Sequence, residues 1–301
     1  MKHRILFISF LFLGSTLLGQ SSETAKVRTI YDLSYLSPDR IEVDSLQRLN
    51  LSLPKTRDQA PLLIWIGGGA WSYVDRHADT VFAKALAQEG IAVASIGHRL
   101  SPATWRDPNL AKGVQHPKHI EDLAAAVAWL HAHAKEYDLD PNRFFVAGFS
   151  SGAHLAALLT LDPRYLEKEG LSTDLIKGMI PISGTYDIPD YHRVFVNGNN
   201  PELAQSHVEA VFGEDAQGQV NASPVNYLSN LSCPILLMSD GSIDGYTRLF
   251  EERIRQEKFK ALEAIYAEDL SHVELWRDLN HGSKSVYRKF LLDFIWVNSR
   301  K

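Results

Sequence analysis

The most constraining feature of the sequence is a glycine-flanked serine that lies between a strand-like and a helix-like segment. Residues 143–147 (Arg-Phe-Phe-Val-Ala) are typical of a buried strand, and they run directly into residues 148–152 (Gly-Phe-Ser-Ser-Gly). Residues 153–161 (Ala-His-Leu-Ala-Ala-Leu-Leu-Thr-Leu) then predict an apolar helix. Such a tight turn leaves no room for side chains at its glycines, so it predicts that Ser150 projects from a strained backbone. A plain Gly/Ser connecting turn is the alternative.

Strand-like runs alternate with helical patterns along the rest of the chain, which is typical of a mostly parallel sheet with helices on both faces. Residues 27–53 are expected to add one or two leading antiparallel strands, and residues 20–301 to form a single α/β domain. Residues 186–232 are less regular, and we expect them to form a lid or a substrate-facing insertion. The other predicted strands are 62–66, 91–96, 178–183, 234–239 and 261–267, and the other predicted helices are 79–89, 120–137, 246–257 and 284–297.

Composition excludes several classes of protein. The chain has 301 residues, of which 45% are hydrophobic and 22% charged, and these fractions are those of a globular protein. Thirty-one basic and 36 acidic side chains give a net charge of −5, so no basic excess is available to neutralise nucleic-acid phosphates. Cys233 is the single cysteine, which excludes an intrachain disulfide and a cysteine-rich metal site.

The N-terminus has the pattern of a secretory signal peptide. Lys2 and Arg4 precede a largely apolar run over residues 5–18, and small Gly19 precedes a polar segment. The run is shorter than the ~20 apolar residues that a membrane-spanning helix needs. We therefore expect residues 1–19 to be removed and the protein to be secreted or periplasmic, without stable membrane insertion. An uncleaved anchor is the alternative.

A second glycine cluster provides what an exposed, reactive serine would need. Residues 67–71 (Gly-Gly-Gly-Ala-Trp) follow the predicted strand 62–66, and they lack the Lys-Ser/Thr pair and the G-x-G-x-x-G spacing of phosphate-binding loops. Small residues allow backbone N–H groups to approach a substrate oxygen. We therefore expect an oxyanion hole made by the N–H groups of Gly69, Ala70 and Ser151.

These motifs resemble those of α/β-hydrolases in the esterase group related to hormone-sensitive lipase, near bacterial feruloyl esterases and kynurenine formamidases. Residues 64–71 (Ile-Trp-Ile-Gly-Gly-Gly-Ala-Trp) are similar to the family's strand followed by H-G-G-A-W. Residues 98–102 resemble its Y-R-L-S-P segment, and residues 116–129 resemble its H-P-x-x-x-x-D-x-x-x-A-x-x-W helix. The family histidine ahead of the two glycines is Gly67 here. This departure implies a looser oxyanion loop and a lowered or redirected activity.

Chain order and the resemblance together assign the partners of the serine. The acid is expected between the serine and the histidine in sequence, and the loop after strand 234–239 holds both Asp240 and Asp244. Asp244 matches the family's G-x-x-D position and is chosen over Asp240, with a turn or capping aspartate as the alternative. His272, which follows the last predicted strand, is the expected base, and His281 is its rival.

Ser150, Asp244 and His272 in this order predict a serine carboxylesterase that cleaves acyl or aromatic esters through an acyl-enzyme. An arylformamidase similar to kynurenine formamidase could use the same residues. A binding protein that kept the fold without catalysis is the alternative from another class, because Gly67 departs from the family pattern. The partner is expected to be a small-molecule ester, and no metal or cofactor is expected.

Overall fold

The computed structural model describes residues 27–36, 45–55 and 59–300. The predicted signal peptide, residues 1–19, lies outside the described residues. The strands are β1 (Arg28–Ser34), β2 (Arg48–Leu53), β3 (Ala60–Ile66), β4 (Ala92–Ile96), β5 (Leu139–Phe149), β6 (Ile176–Ile182), β7 (Ile235–Asp240) and β8 (Leu262–Ala267). The α-helices are α1 (Thr80–Gln88), α2 (Lys118–Ala132), α3 (Ser151–Leu161), α4 (Pro163–Lys168), α5 (Ile188–Asn197), α6 (Pro201–Ala204), α7 (Ala210–Phe212), α8 (Ala216–Asn221), α9 (Asp244–Gln256), α10 (His272–His281) and α11 (Val286–Asn298).

The eight strands form one sheet in the order β1-β2-β4-β3-β5-β6-β7-β8. The β1–β2 and β2–β4 pairs are antiparallel, and the pairs from β4 to β8 are parallel. The predicted mostly parallel sheet with leading antiparallel strands is therefore confirmed. Ile66, the last residue of β3, pairs with Gly148 of β5. This register brings the loop after β3 beside the glycine-flanked serine, at the carboxyl edge of the parallel strands.

Two hydrophobic cores cover the two faces of the sheet, because side chains along a strand alternate between faces. On β3, Leu62 and Ile64 belong to the core under α2, α3 and α9, whereas Leu63 and Trp65 belong to the core under α1, α10 and α11. All four side chains are at most 1% exposed. The helices thus lie on both faces, as the alternation of the sequence patterns predicts.

The segment 186–232 is more regular than its sequence predicts. It contains α5 to α8, a π-helical turn over Gln205–Glu209 and a 3-10 helical segment over Pro224–Asn230. The Phe212 ring lies 5.0 Å from the Trp71 ring, centroid to centroid, and Ile188 is fully buried. The segment therefore packs on the main core and on the loop after β3, while its role as a lid stays a prediction. In the described ranges, no helix has the length and hydropathy needed to cross a membrane.

Candidate active site

Ser150 lies at the sharp turn between β5 and α3. Its backbone has φ 56° and ψ −121°, a strained conformation for a residue with a side chain. A Cβ on Gly148 would come 2.2 Å from the Gly152 carbonyl oxygen, and a Cβ on Gly152 would come 2.1 Å from the Ile66 oxygen. Both flanking positions thus require glycine, and the backbone N–H of Ser150 is fixed by donating to the Ile182 oxygen at 2.8 Å.

Ser150 and His272 line the same cavity, which has a volume of about 340 Å³. The His272 ring packs against the Phe149 ring, with the centroids 4.7 Å apart, so the imidazole lies beside the residue that precedes the serine. The Ser150 hydroxyl makes no hydrogen bond with another described side chain. The cavity is lined by Gly68, Gly69, Tyr73, Asp75, Ala78, Asp79, Phe149, Ser150, His272, Val273 and Trp276.

The carboxylate that faces His272 belongs to Asp240. The Asp240 Oδ2 and His272 Nδ1 atoms are 2.8 Å apart, and Asp240 is fully buried at the end of β7. The other carboxylate oxygen accepts the backbone N–H of Ser242 at 2.8 Å. The Ser242 hydroxyl in turn accepts the backbone N–H of His272 at 3.3 Å. The loop after β7 and the start of α10 are therefore joined twice around this pair.

Asp244, the acid that the family pattern favours, does not lie against His272, and that expected pairing is corrected here. Asp244 is the first residue of α9, and its Oδ2 accepts a hydrogen bond from Arg248 Nε at 2.6 Å, one helical turn along. His281, the rival histidine, is exposed at the end of α10. Asp240, the second candidate for the acid in the sequence prediction, occupies the position beside the imidazole.

In the Asp240–His272 pair, an ionised carboxylate accepts a hydrogen bond from an imidazole N–H. Burial alone would raise the pKa of Asp240, but the hydrogen bonds that it accepts, foremost from His272, lower it to about 2. Asp240 is therefore ionised at neutral pH and acts as a hydrogen-bond acceptor. This keeps the proton on Nδ1 of His272 and leaves Nε2 as the unprotonated nitrogen of the neutral ring.

Three consecutive residues of the loop after β3 have positive φ values. Gly69 has φ 147°, and Ala70 and Trp71 also have positive φ values of 46° and 57°. The Gly69 carbonyl closes the turn by accepting the N–H groups of Ser72 at 2.8 Å and Tyr73 at 2.9 Å. Ala70 is not among the residues that line the cavity, whereas Gly68 and Gly69 are.

Gly68 brings this loop into contact with the serine. A Cβ on Gly68 would lie 3.1 Å from the Cβ of Ser150, so the backbone of the loop passes directly over the turn. Ser151 is the first residue of α3, and the N–H groups of a first helical turn have no partner within their helix. Ser151 follows Ser150 directly in the chain, and Gly69 follows Gly68 and lines the same cavity as Ser150. The role of the Gly69 and Ser151 N–H groups as oxyanion donors stays a prediction.

Trp71 anchors the loop to the helix that follows Ser150. Its indole N–H donates to His154 Nδ1 at 3.2 Å, so His154 Nε2 carries the ring proton and donates to the Ala222 oxygen at 2.8 Å. Burial lowers the pKa of His154 to about 3, which keeps this ring neutral. The sequence carries no signal for this contact, because His154 is one polar residue in a mostly apolar helix.

Asp79 and Trp276 are two further cavity residues that the sequence patterns do not single out. Asp79 precedes α1 and is 3% exposed, and Trp276 lies on α10 one turn after His272. The Trp276 indole N–H donates to Asp79 Oδ1 at 2.9 Å. Their separation in sequence hides this contact. An isolated aspartate before a helix reads as a cap, although the Asp79 side chain makes no capping hydrogen bond.

Among curated proteins, the chain is 30% identical over 213 residues to the probable carboxylic ester hydrolase LipM of Mycobacterium tuberculosis. That match covers 69% of this chain and 46% of LipM. Esterase LipC of the same species is 32% identical over 215 residues, covering 65% of this chain and 48% of LipC. The chain thus spans about half the length of these curated relatives.

Solved structures show the same fold at low sequence identity. Esterase B from Lactobacillus rhamnosis superposes with a TM-score of 0.75 at 20% identity, covering 91% of this chain and 88% of that one. A truncated carbohydrate esterase from gut microbiota gives a TM-score of 0.72 at 19% identity, covering 93% and 99%. The α/β-hydrolase fold that the motifs predict is therefore confirmed.

The family assignment comes from a family model. The model described as BD-FAE matches residues 49–248, which is more than half of the chain. The matched range contains the glycine loop, the Ser150 turn and Asp240, and it ends before His272. The chain belongs to the BD-FAE family.

Proposed function

We propose that this protein is a serine carboxylesterase in which Ser150 is the nucleophile, His272 the general base and Asp240 the acid that orients it. The single observation that carries the proposal is the 2.8 Å hydrogen bond between buried Asp240 and His272, because His272 shares a cavity with Ser150. The names of the curated relatives support the same reaction class, since LipM and LipC are both described as ester hydrolases.

The geometry supports the following acylation step. His272 Nε2 takes the Ser150 hydroxyl proton while Oγ bonds to the carbonyl carbon of the ester. The Asp240 carboxylate holds the Nδ1 proton in place and stabilises the imidazolium that forms. The oxyanion is stabilised by the backbone N–H groups of Gly69 and Ser151, and Ala70 is a further predicted donor.

The tetrahedral intermediate then collapses as the C–O bond to the alcohol breaks and His272 gives its proton to the leaving oxygen. An acyl-enzyme remains on Ser150. Water enters, loses a proton to His272 and attacks the acyl carbon, and the proton returns to Ser150 as the acid leaves. All proton transfers in this scheme pass through one imidazole, and the scheme consumes only ester and water.

The cavity favours a small or aromatic ester as the substrate. Phe149, Val273 and Trp276 supply apolar walls, while Tyr73 brings an aromatic ring that is 42% exposed. A volume of about 340 Å³ is near the lower end for small-molecule sites. The proposal includes export through the predicted signal peptide, residues 1–19.

The first test is hydrolysis of p-nitrophenyl acetate by the mature protein and by the Ser150→Ala variant. We expect turnover by the parent and a loss of at least about 10³-fold in kcat for the variant, because a triad without its nucleophile keeps only residual catalysis. Feruloyl, acetyl-sugar and N-formyl substrates then separate the esterase from the formamidase. A folded parent that cleaves none of them would favour the non-catalytic binding protein.

A further inference from the structure

Asp79 is a buried carboxylate in the cavity, and the proposed reaction does not use it. Its Oδ2 accepts the indole N–H of Trp65 at 2.6 Å, and its Oδ1 accepts that of Trp276 at 2.9 Å. Burial raises the pKa of Asp79, and the two indole hydrogen bonds oppose that shift. A carboxylate held by two neutral donors is costly to bury, so its contacts need an explanation beyond packing.

The two tryptophans belong to the two elements that must be aligned for catalysis. Trp65 is on β3, two residues before the glycine loop, and Trp276 is on α10, four residues after His272. Residues four apart lie on the same helix face, so Trp276 and His272 both face the cavity. The Asp79 side chain therefore connects the strand that carries the loop with the first turns of the helix that carries the base.

Asp79 also fills the place that the loop's own side chain leaves open. The family pattern has histidine at position 67, and the chain has glycine. A Cβ on Gly67 would lie 3.1 Å from Asp79 Oδ2 and 3.6 Å from Val74 Cγ1. The carboxylate thus occupies the space into which a side chain at position 67 would point, and it contacts the base of the loop from outside the loop.

We infer that Asp79 is a positioning residue that holds the oxyanion loop and His272 in register through Trp65 and Trp276. The inference rests on the proposed function. In the family pattern a histidine at position 67 supports the loop from within. Here position 67 is glycine, and Asp79, the residue before α1, supports the loop instead. The two carboxylates then have separate tasks: Asp240 orients the imidazole ring, and Asp79 orients the helix that bears it.

The test compares Asp79→Asn and Trp276→Phe with the parent. Asparagine has one acceptor oxygen and a donor NH2 group, so one of the two indole N–H groups loses its acceptor. Trp276→Phe keeps an aromatic ring and removes only the N–H. We expect kcat for p-nitrophenyl acetate to fall at least 10-fold in Asp79→Asn and 3- to 10-fold in Trp276→Phe, with KM within 2-fold of the parent.

Two further readouts separate positioning from general stability. The rate at which a fluorophosphonate labels Ser150 should fall in parallel with kcat. This labelling rate depends on the alignment of the serine and its base, but it does not require the enzyme to bind or release the alcohol part of an ester. The double variant should have a kcat no lower than that of Asp79→Asn alone, because the two substitutions disrupt the same connection between Asp79 and α10. Trp129→Phe is the matched control: Trp129 stacks on His133 at the far end of α2, and its substitution should leave kcat unchanged.

Several outcomes would overturn the inference. Suppose that the parent's activity depends on Ser150 and that a folded Asp79→Asn or Trp276→Phe variant has kcat within 2-fold of the parent. Asp79 would then have no positioning role, and the proposed function would be unaffected. A rise in KM at constant kcat would make Asp79 a substrate contact instead. If Asp79→Asn does not fold, Trp276→Phe alone decides by the same criteria. A parent that neither turns over esters nor labels at Ser150 would refute both proposals.

Discussion

At the residue scale, the choice of acid shows what a motif leaves out. Asp240 ends β7 and Asp244 begins α9, and the family spacing favours Asp244. Spacing gives no side-chain direction. A Cβ on Gly241 would lie 2.2 Å from the Glu268 oxygen, so the end of β7 is pressed against the loop that leads to His272. That close approach brings Asp240 to the imidazole, and it could not be seen without the pairing of β7 with β8.

Asp240→Asn and Asp244→Asn test this assignment directly. Asn at position 240 would favour the wrong tautomer of His272 and would not stabilise its cation, so we expect kcat to fall by about 10³- to 10⁴-fold. Asn at position 244 removes only a half-exposed ion pair with Arg248, and we expect kcat within 2-fold of the parent. Steady-state hydrolysis of p-nitrophenyl acetate measures both. The opposite order of effects would return the role of acid to Asp244.

At the element scale, the sequence predicted the parallel core well and the segment after it poorly. A buried parallel strand such as β3 is a continuous apolar run with distinct ends, so it is easy to recognise. In contrast, α5 buries only Ile188 fully and exposes Val194 and Val196 by 45% and 49%. Ile188, Tyr191 and Phe195 do share one face that packs on the core, but the helix is short and has these two further apolar residues off that face, so its sequence predicts irregular chain.

The turn at Ser150 is the element whose geometry the sequence predicted most completely, and Gly152 tests it. In Gly152→Ala the new Cβ would meet the Ile66 oxygen at 2.1 Å, so β3 and the turn must separate. We expect the free energy of unfolding to fall by about 1–3 kcal/mol, with a large loss of kcat.

Gly245→Ala is the matched control for this change. Gly245 lies in the first turn of α9, and a Cβ there meets nothing within 4 Å. Its substitution should leave activity unchanged and keep or raise stability by up to about 1 kcal/mol. Denaturant unfolding and ester hydrolysis measure both variants. Equal effects at the two positions would show that the tight turn is not what requires glycine at 152.

At the scale of the whole molecule, burial fixes the charge state of several histidines. The pKa values of His98 and His119 are lowered by burial, that of His116 is lowered to about 4, and that of His154 to about 3. These rings lie around α2 and α3, on the same face of the sheet. In the unfolded chain each titrates near pH 6.5, so unfolding below that pH takes up protons that the folded protein does not bind.

Stability should therefore fall as the pH is lowered from 7 to 5. A histidine whose folded pKa lies below its unfolded value contributes stability that is present above about pH 6.5 and is lost as the pH falls towards the folded pKa. For His154 this loss is about 2 kcal/mol by pH 5. Asp240, with a pKa of about 2, titrates below this window and does not mask the effect. Chemical unfolding at the two pH values measures the difference.

The contribution of His154 is isolated by comparing the parent with His154→Gln. Glutamine does not titrate, so the variant should lose about 2 kcal/mol less than the parent between pH 7 and pH 5, whatever its stability at pH 7. His281→Gln is the control, since that ring is exposed at the end of α10, and its pH dependence should match the parent. An unchanged pH dependence in His154→Gln would mean that the ring is already protonated in the folded protein. The Trp71 indole N–H would then have no acceptor at Nδ1, and the anchor of the glycine loop to α3 would have to be assigned differently.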